Sequence, residues 1–291
     1  MERPIKQNSA SRFSIAQIAL FTAAGLVATL TWFSASSVAY EFVGLGLIGA
    51  IFANATGAGG GVVFIPTFHQ LGLSESAAVA TSFGIQTFGM TAGALAWLVK
   101  FSNKSEEPKG SLNLILLVCA IVFIPSVLGL YSVNLLEWST PARFDAFFAW
   151  FSIVLGLCIL ATLWRFTRGQ HLMVLSPLDV VLLILLGYIG GIVTAWLSVG
   201  VGEIIAFYLI ARGFNPSVAI ASAVVITALS VWSIAPMTFS ADSMIAMHIV
   251  LAAGPAAVIG GLSARFLVDR LPQFWLKVFF GSWLILIGAV T

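Results

Sequence analysis

The chain has 291 residues, of which 60% are hydrophobic and only 8% charged, with a formal net charge of +2. Those proportions exclude a soluble globular domain; the net charge says little, because in a membrane protein the position of charge matters more than its sum, and no nucleic-acid partner is expected. Apolar runs of about 17–25 residues recur along the whole chain, the length that a ~30 Å bilayer core asks of a helix. The expected class is an all-α polytopic membrane protein with the lipid bilayer as its surroundings. Cys119 and Cys158 both fall in apolar segments without metal-ligand spacing, so neither a metal nor any other cofactor is expected.

In chain order, Arg3, Lys6 and Arg12 precede an apolar run from Ile15 to Trp32. That run exceeds the ~7–15 residues of a signal-peptide core, so residues 1–41 are read as an extra, uncleaved transmembrane helix. A first unit, 42–165, opens on an apolar segment interrupted by "TGAGGGV" (Thr56–Val62) and continues with crossings near 75–99, 112–133 and 144–164. A second unit, 178–291, opens on a segment interrupted by "LSVGVGE" (Leu197–Glu203), again followed by three helices. The two are copies of one pattern. A shift of 141 residues lays Gly46–Gly89 over Gly187–Ser230 without a gap, with 11 of 44 positions identical, five of them glycine.

Lys and Arg concentrate on the cytoplasmic side of membrane proteins. If both interrupted segments are re-entrant hairpins and the N-terminus is cytoplasmic, 12 of the 13 Lys and Arg lie inside and only Arg143 outside. If both segments cross, the division falls to eight and five. The hairpin topology gives seven transmembrane helices plus two glycine-broken hairpins and a periplasmic C-terminus. Three crossings separate the hairpins, so the repeats are inverted and the broken tips meet near the midplane. The first arm of the second hairpin, 178–197, is long enough to span by itself, which leaves its re-entrance open.

Unwound backbone at membrane depth is tolerated only where protein buries it or a watery cavity receives it. Transporters place such breaks at substrate sites between inverted repeats. Each half-helix after a break starts with unpaired N–H groups and a partial charge of roughly +0.5 e, a seat for an anion that needs no basic side chain. The expected substrate-binding set is Gly57, Gly59, Gly60, Gly61, Gly200 and Gly202, with hydroxyls from Thr81, Ser82, Ser198 and Ser222. The alternatives are helix packing for the glycines and bonds to own-helix carbonyls for the hydroxyls. Asn54, Gln86, Thr227 and Trp196 are candidate walls of the pocket. Glu203 is the candidate proton-coupling residue, because intramembrane carboxylates are rare. An ion pair with Arg212 is its other reading. His69 and His248 are placed near the outer surface, and Trp32, Trp97, Trp138 and Trp275 at the membrane interfaces.

The stretch "GAGGGVVFIPTFHQLGLSESAAVATSFG" (Gly57–Gly84) resembles the sulfite exporter TauE/SafE family of membrane permeases: a glycine-rich run, an apolar stretch ending in Pro, a Gly-containing turn, then an "ATS" helix start. The second copy, "SVGVGEIIAFYLIARGFNPSVAIASAVV", keeps the spacing but has Phe207 for the Pro, Glu203 in the place of Val62, and "ASA" for "ATS". The resemblance implies transport of a small anion, such as sulfite or an organosulfonate, across the bacterial inner membrane. The expectation is thus a non-enzymatic secondary transporter with a small anionic substrate, proton-linked, with a homodimer as its candidate assembly. A passive anion channel on the same scaffold is the alternative. An intramembrane serine protease built on Ser198 and His248 fits poorly, since Trp196 stands where such a protease places Gly.

Overall fold

The computed structural model describes residues 40–103, 110–138, 143–161, 163, 172–270 and 273–290. The expected first helix and Trp32 lie outside them. The described residues form ten helices and no strand: α1 (Tyr40–Thr56), α2 (Gly61–Gln70), α3 (Glu75–Ser102), α4 (Ser111–Leu135), α5 (Phe144–Ala161), α6 (Pro177–Leu197), α7 (Val201–Arg212), α8 (Pro216–Thr238), α9 (Met247–Arg270) and α10 (Gln273–Val290). Five of them, α4, α5, α6, α8 and α9, are long and apolar enough to cross a membrane.

Local signals start and stop these helices. Ser74 caps α3 by accepting from the Ala77 N–H at 3.3 Å. Ser176 and Asp179 form a reciprocal capping box at α6, ahead of Pro177. Asn215 accepts from the Ser217 N–H at 2.8 Å to open α8.

Small residues let the helices approach closely, as membrane packing requires. α9 lies along α1 and α3, while α4 lies along α6 and α8. Gly260 of α9 sits against the Leu47 carbonyl of α1; Gly129 of α4 sits against the Tyr188 carbonyl of α6. α3 and α8 meet in the middle, and α5 and α10 pair, with Gly156 against the Gly281 carbonyl.

The second broken segment returns to the end from which it started. Asp179, in the first turn of α6, accepts from the Arg212 Nε at 2.6 Å and from the Tyr208 hydroxyl at 2.6 Å, both near the end of α7. Backbone pairing between Leu172 and Gly213 at 3.1 Å closes the same base. Length alone would let α6 cross, but α7 brings the chain back beside it. On the first hairpin, Phe64 of α2 folds against Gly49 of α1.

At one end of the bundle, Lys100 pairs with Asp269; at the other, His69 stands 3.7 Å from Asp145 and His248 packs edge-on against Phe42. Trp138 and Trp275 are exposed. Trp97 is not an interface anchor: it is fully buried, and its indole N–H donates to the Asn54 carbonyl at 3.0 Å. A tryptophan can face inward whenever one carbonyl is free to take its proton.

Candidate site where the two broken segments meet

Each first arm ends on a residue in the left-handed region, Gly57 at φ 79° and Ser198 at φ 58°. These are corresponding positions under the 141-residue shift. Glycine adopts that conformation freely, whereas a serine held there costs on the order of 1–3 kcal/mol, a cost that clusters at functional sites.

The breaks touch reciprocally. A Cβ on Gly61 would lie 2.5 Å from the Ser198 carbonyl oxygen, and one on Gly202 would lie 2.5 Å from the Gly57 carbonyl oxygen. The start of each half-helix therefore rests on the last carbonyl of the other segment's first arm. Only a residue without a side chain fits either place.

Side chains occupy the backbone donors that the breaks expose. One carboxylate oxygen of Glu203 accepts from the Gly59 N–H at 2.6 Å, and the other from the Gly200 N–H at 2.8 Å. The Gly200 bond is the helix-start pattern in which a third-position Glu reaches back to the cap. The Gly59 bond ties the same group to the other segment. Glu203 is 4% exposed. The Gly60 N–H donates to the Gln86 carbonyl oxygen at 3.0 Å. The Gln86 amide donates to the Ser198 hydroxyl at 2.8 Å and to the Ser82 hydroxyl at 3.0 Å, and Ser198 donates to Ser82 at 2.9 Å. Thr194, four residues before Ser198, accepts from the Val201 N–H at 2.8 Å.

Beside this assembly lies a cavity of about 460 Å³. It is an open cleft lined by the N-terminal turns of α3 and the C-terminal ends of α4, α6 and α8, and its lining includes Phe83 and Trp196. Ser82 and Ser198 are themselves buried and do not line it.

A model of the sulfite exporter TauE/SafE family matches residues 42–291, which take in α1 through α10. The chain belongs to the sulfite exporter TauE/SafE family. No curated protein and no solved structure matches it. Family and helices together make it a multi-pass transmembrane permease of a family that transports sulfite and related anions.

In this TauE/SafE member the structure gathers Gly57, Gly59, Gly60, Gly61, Ser82, Gln86, Ser198, Gly200, Gly202 and Glu203 at one place. Thr227 stands against Gly202, its buried hydroxyl without a partner among the described residues. Trp196 lines the cavity and meets Phe147 edge-on. Other expected members point elsewhere. The Thr81 hydroxyl accepts from the Ala246 N–H at 2.9 Å and ties α3 to the turn before α9. Ser222 donates to Val218 of its own helix at 2.9 Å. Asn54 donates to the Ala50 and Gly89 carbonyls at 2.8 and 3.2 Å, joining α1 to α3. Arg212 pairs with Asp179 and not with Glu203, which lies nine residues, or ~13 Å of helix, away. Ser198 pairs with Ser82 and Gln86 while His248 packs on Phe42, so no Ser–His dyad forms.

Proposed function

We propose that this TauE/SafE member is a secondary transporter carrying sulfite or an organosulfonate across the bacterial inner membrane, with the anion held where the broken segments meet. One observation carries the reading: the Glu203 carboxylate takes one N–H from each segment. A carboxylate and a sulfur oxyanion offer the same thing, two or three acceptor oxygens with negative charge. They compete for the same donors at two half-helix starts.

Competition links transport to protons. Ionised, Glu203 fills the donors and repels an incoming anion. Protonated, it accepts more weakly and carries no charge, so the donors of Gly59 and Gly200 become free for substrate. Ser82, Ser198 and Gln86 stand beside them to complete the shell. A proton and an anion then travel as a pair.

The scaffold of this reading is an inverted repeat, 42–165 and 178–291, with seven crossings if the helix expected from the sequence before residue 40 is counted. The reciprocal contacts of Gly61 and Gly202 support it. So does the helix packing: α1 lies on α9 as α6 lies on α4, which is what exchanging the halves requires. Lys100, Arg212 and Arg270 fall at ends that the chain path joins to one face, and Arg143 at the opposite one. This supports a cytoplasmic N-terminus and a periplasmic C-terminus.

Reconstituted liposomes loaded with sulfite, thiosulfate, taurine, sulfoacetate or sulfate, and subjected to a pH step, test the proposal. The expected result is accumulation of a sulfur oxyanion against its gradient, driven by the step and lost in Glu203→Gln. Flux that only follows the anion gradient and ignores pH would replace the carrier by a channel.

A further inference from the structure

A Glu203 that takes up a proton has a hydrogen to place. The groups it holds when ionised, the Gly59 and Gly200 N–H groups, are donors and cannot accept an O–H. A buried O–H without an acceptor is costly, so the protonated carboxyl needs an oxygen within reach. Two nearby oxygens are already served. The Gln86 carbonyl oxygen accepts from the Gly60 N–H at 3.0 Å, and the Ser198 carbonyl accepts from the Gln86 amide at 3.2 Å. Two others are not. Among the described residues, the Thr227 hydroxyl is 3% exposed and has no partner, and no hydrogen bond reaches the Gly57 carbonyl. Both oxygens stand against Gly202, the residue before Glu203. The internal repeat accounts for the difference. The 141-residue shift lays Gln86 over Thr227 and Ser198 over Gly57. In one copy the Gln86 amide gives a hydrogen to the carbonyl that ends the first arm; in the other, threonine has no amide to give and the matching carbonyl receives none.

We infer that the Gly57 carbonyl and the Thr227 hydroxyl receive the protonated Glu203 carboxyl, which makes Thr227 a positioning residue for proton coupling. The inference rests on the proposed role of Glu203. On taking a proton from water, the carboxyl gives up the Gly59 and Gly200 N–H groups to the anion. Its side chain turns from Gly59 toward Gly57, two residues back along the first segment. The new O–H donates to the Gly57 carbonyl, and the Thr227 hydroxyl donates to the other carboxyl oxygen. The group is thus held off the donors for as long as it carries the proton. Nothing else at the break competes for that proton. α3, α6 and α8 present Ser82, Gln86, Thr194, Ser198 and Thr227 there, and both tips present glycine backbone. The titratable groups of the neighbouring elements are placed elsewhere: Cys119 of α4 against the Ser222 carbonyl, Asp145 of α5 beside His69, and Asp179, Tyr208 and Arg212 at the base of the hairpin.

The test uses the purified full-length chain in liposomes, with sulfite flux followed against pH and infrared difference spectra taken between acid and alkaline samples. A carboxylic C=O stretch that disappears in Glu203→Gln reports the protonated group. In Thr227→Val, half-maximal flux is expected to need roughly threefold to tenfold more protons than in the parent chain, the effect of one lost hydrogen bond to the neutral carboxyl. The C=O stretch is expected to move to higher frequency. Thr227→Ser keeps the hydroxyl and should restore both values. Valine removes no bond present among the described residues, and Thr227→Ala is the second variant should the valine chain fail to fold. An unchanged pH midpoint or an unmoved stretch in these variants overturns the inference while leaving proton-linked transport intact. A stretch that survives in Glu203→Gln, or parent flux that ignores pH, overturns the proposed role of Glu203 and the inference together.

Discussion

The two broken segments have the same plan and different chemistry. In the first, four glycines in five residues supply bare backbone, and the partners of Gly59 and Gly60 come from elsewhere, Glu203 and Gln86. In the second, the chain supplies its own partners: Glu203 for Gly200 and Thr194 for Val201. The bases differ too. Asp179, Arg212 and Tyr208 clamp the second hairpin, whereas the first has Thr67 and Leu71 at the positions matching Tyr208 and Arg212. One segment is the anchored provider of groups; the other receives them.

The sharpest way to break this contrast is at the reciprocal glycines. Gly61→Ala and Gly202→Ala each drive a methyl group into a backbone carbonyl that has no room to move. Both variants should lose transport entirely in liposome flux; survival of either would mean that the two tips are not equivalent supports. Glu203→Gln comes next. It keeps one acceptor but leaves a donor of Gly59 or Gly200 facing an amide NH₂, a cost of about 1–3 kcal/mol. Thermal denaturation should show the loss, and flux should become insensitive to pH.

Asp179→Asn weakens the clamp. Because the Arg212 side chain is 42% exposed and can turn to solvent, the expected loss is about 1–2 kcal/mol, below that of a fully buried pair. The corresponding Thr67→Val in the first hairpin should change stability by less, since its hydroxyl only returns to Val63 of its own helix. Ser198→Gly makes the second tip resemble the first. Relief of the left-handed strain and loss of the hydroxyl bonds, each ~1 kcal/mol, should nearly cancel in stability. Substrate affinity should still fall severalfold. The smallest effect is expected at Gly44, where a methyl group meets nothing within 4 Å: Gly44→Ala should stabilise α1 by about 0.5–1 kcal/mol and leave flux unchanged.

The breaks were legible in the sequence because glycine clusters have few uses inside an apolar run, and the register of the internal repeat aligned Gly57 with Ser198 before either conformation was seen. The destinations of the polar side chains were not legible. Thr81 and Ser82 are neighbours, yet successive residues on a helix point about 100° apart, so one reaches Ala246 and the other Ser198. Gln86 reads as one wall residue among several; only coordinates show that its amide joins Gly60 to Ser198. The pairing of Arg212 with Asp179 spans 33 residues of chain and needed the return of α7 along α6.

Val62 and Glu203 occupy matching places in the two copies, and both side chains are buried. The carboxylate sits on the boundary that the halves share, where a symmetric partner would have to stand almost on top of it. A glutamate at 62 placed as Glu203 is would reach for the Gly59 and Gly200 N–H groups, the two donors that Glu203 already holds. Only one of the two matching places can therefore hold such a group, and valine at 62 opposite glutamate at 203 is the mark that the shared pair of donors leaves on the two segments.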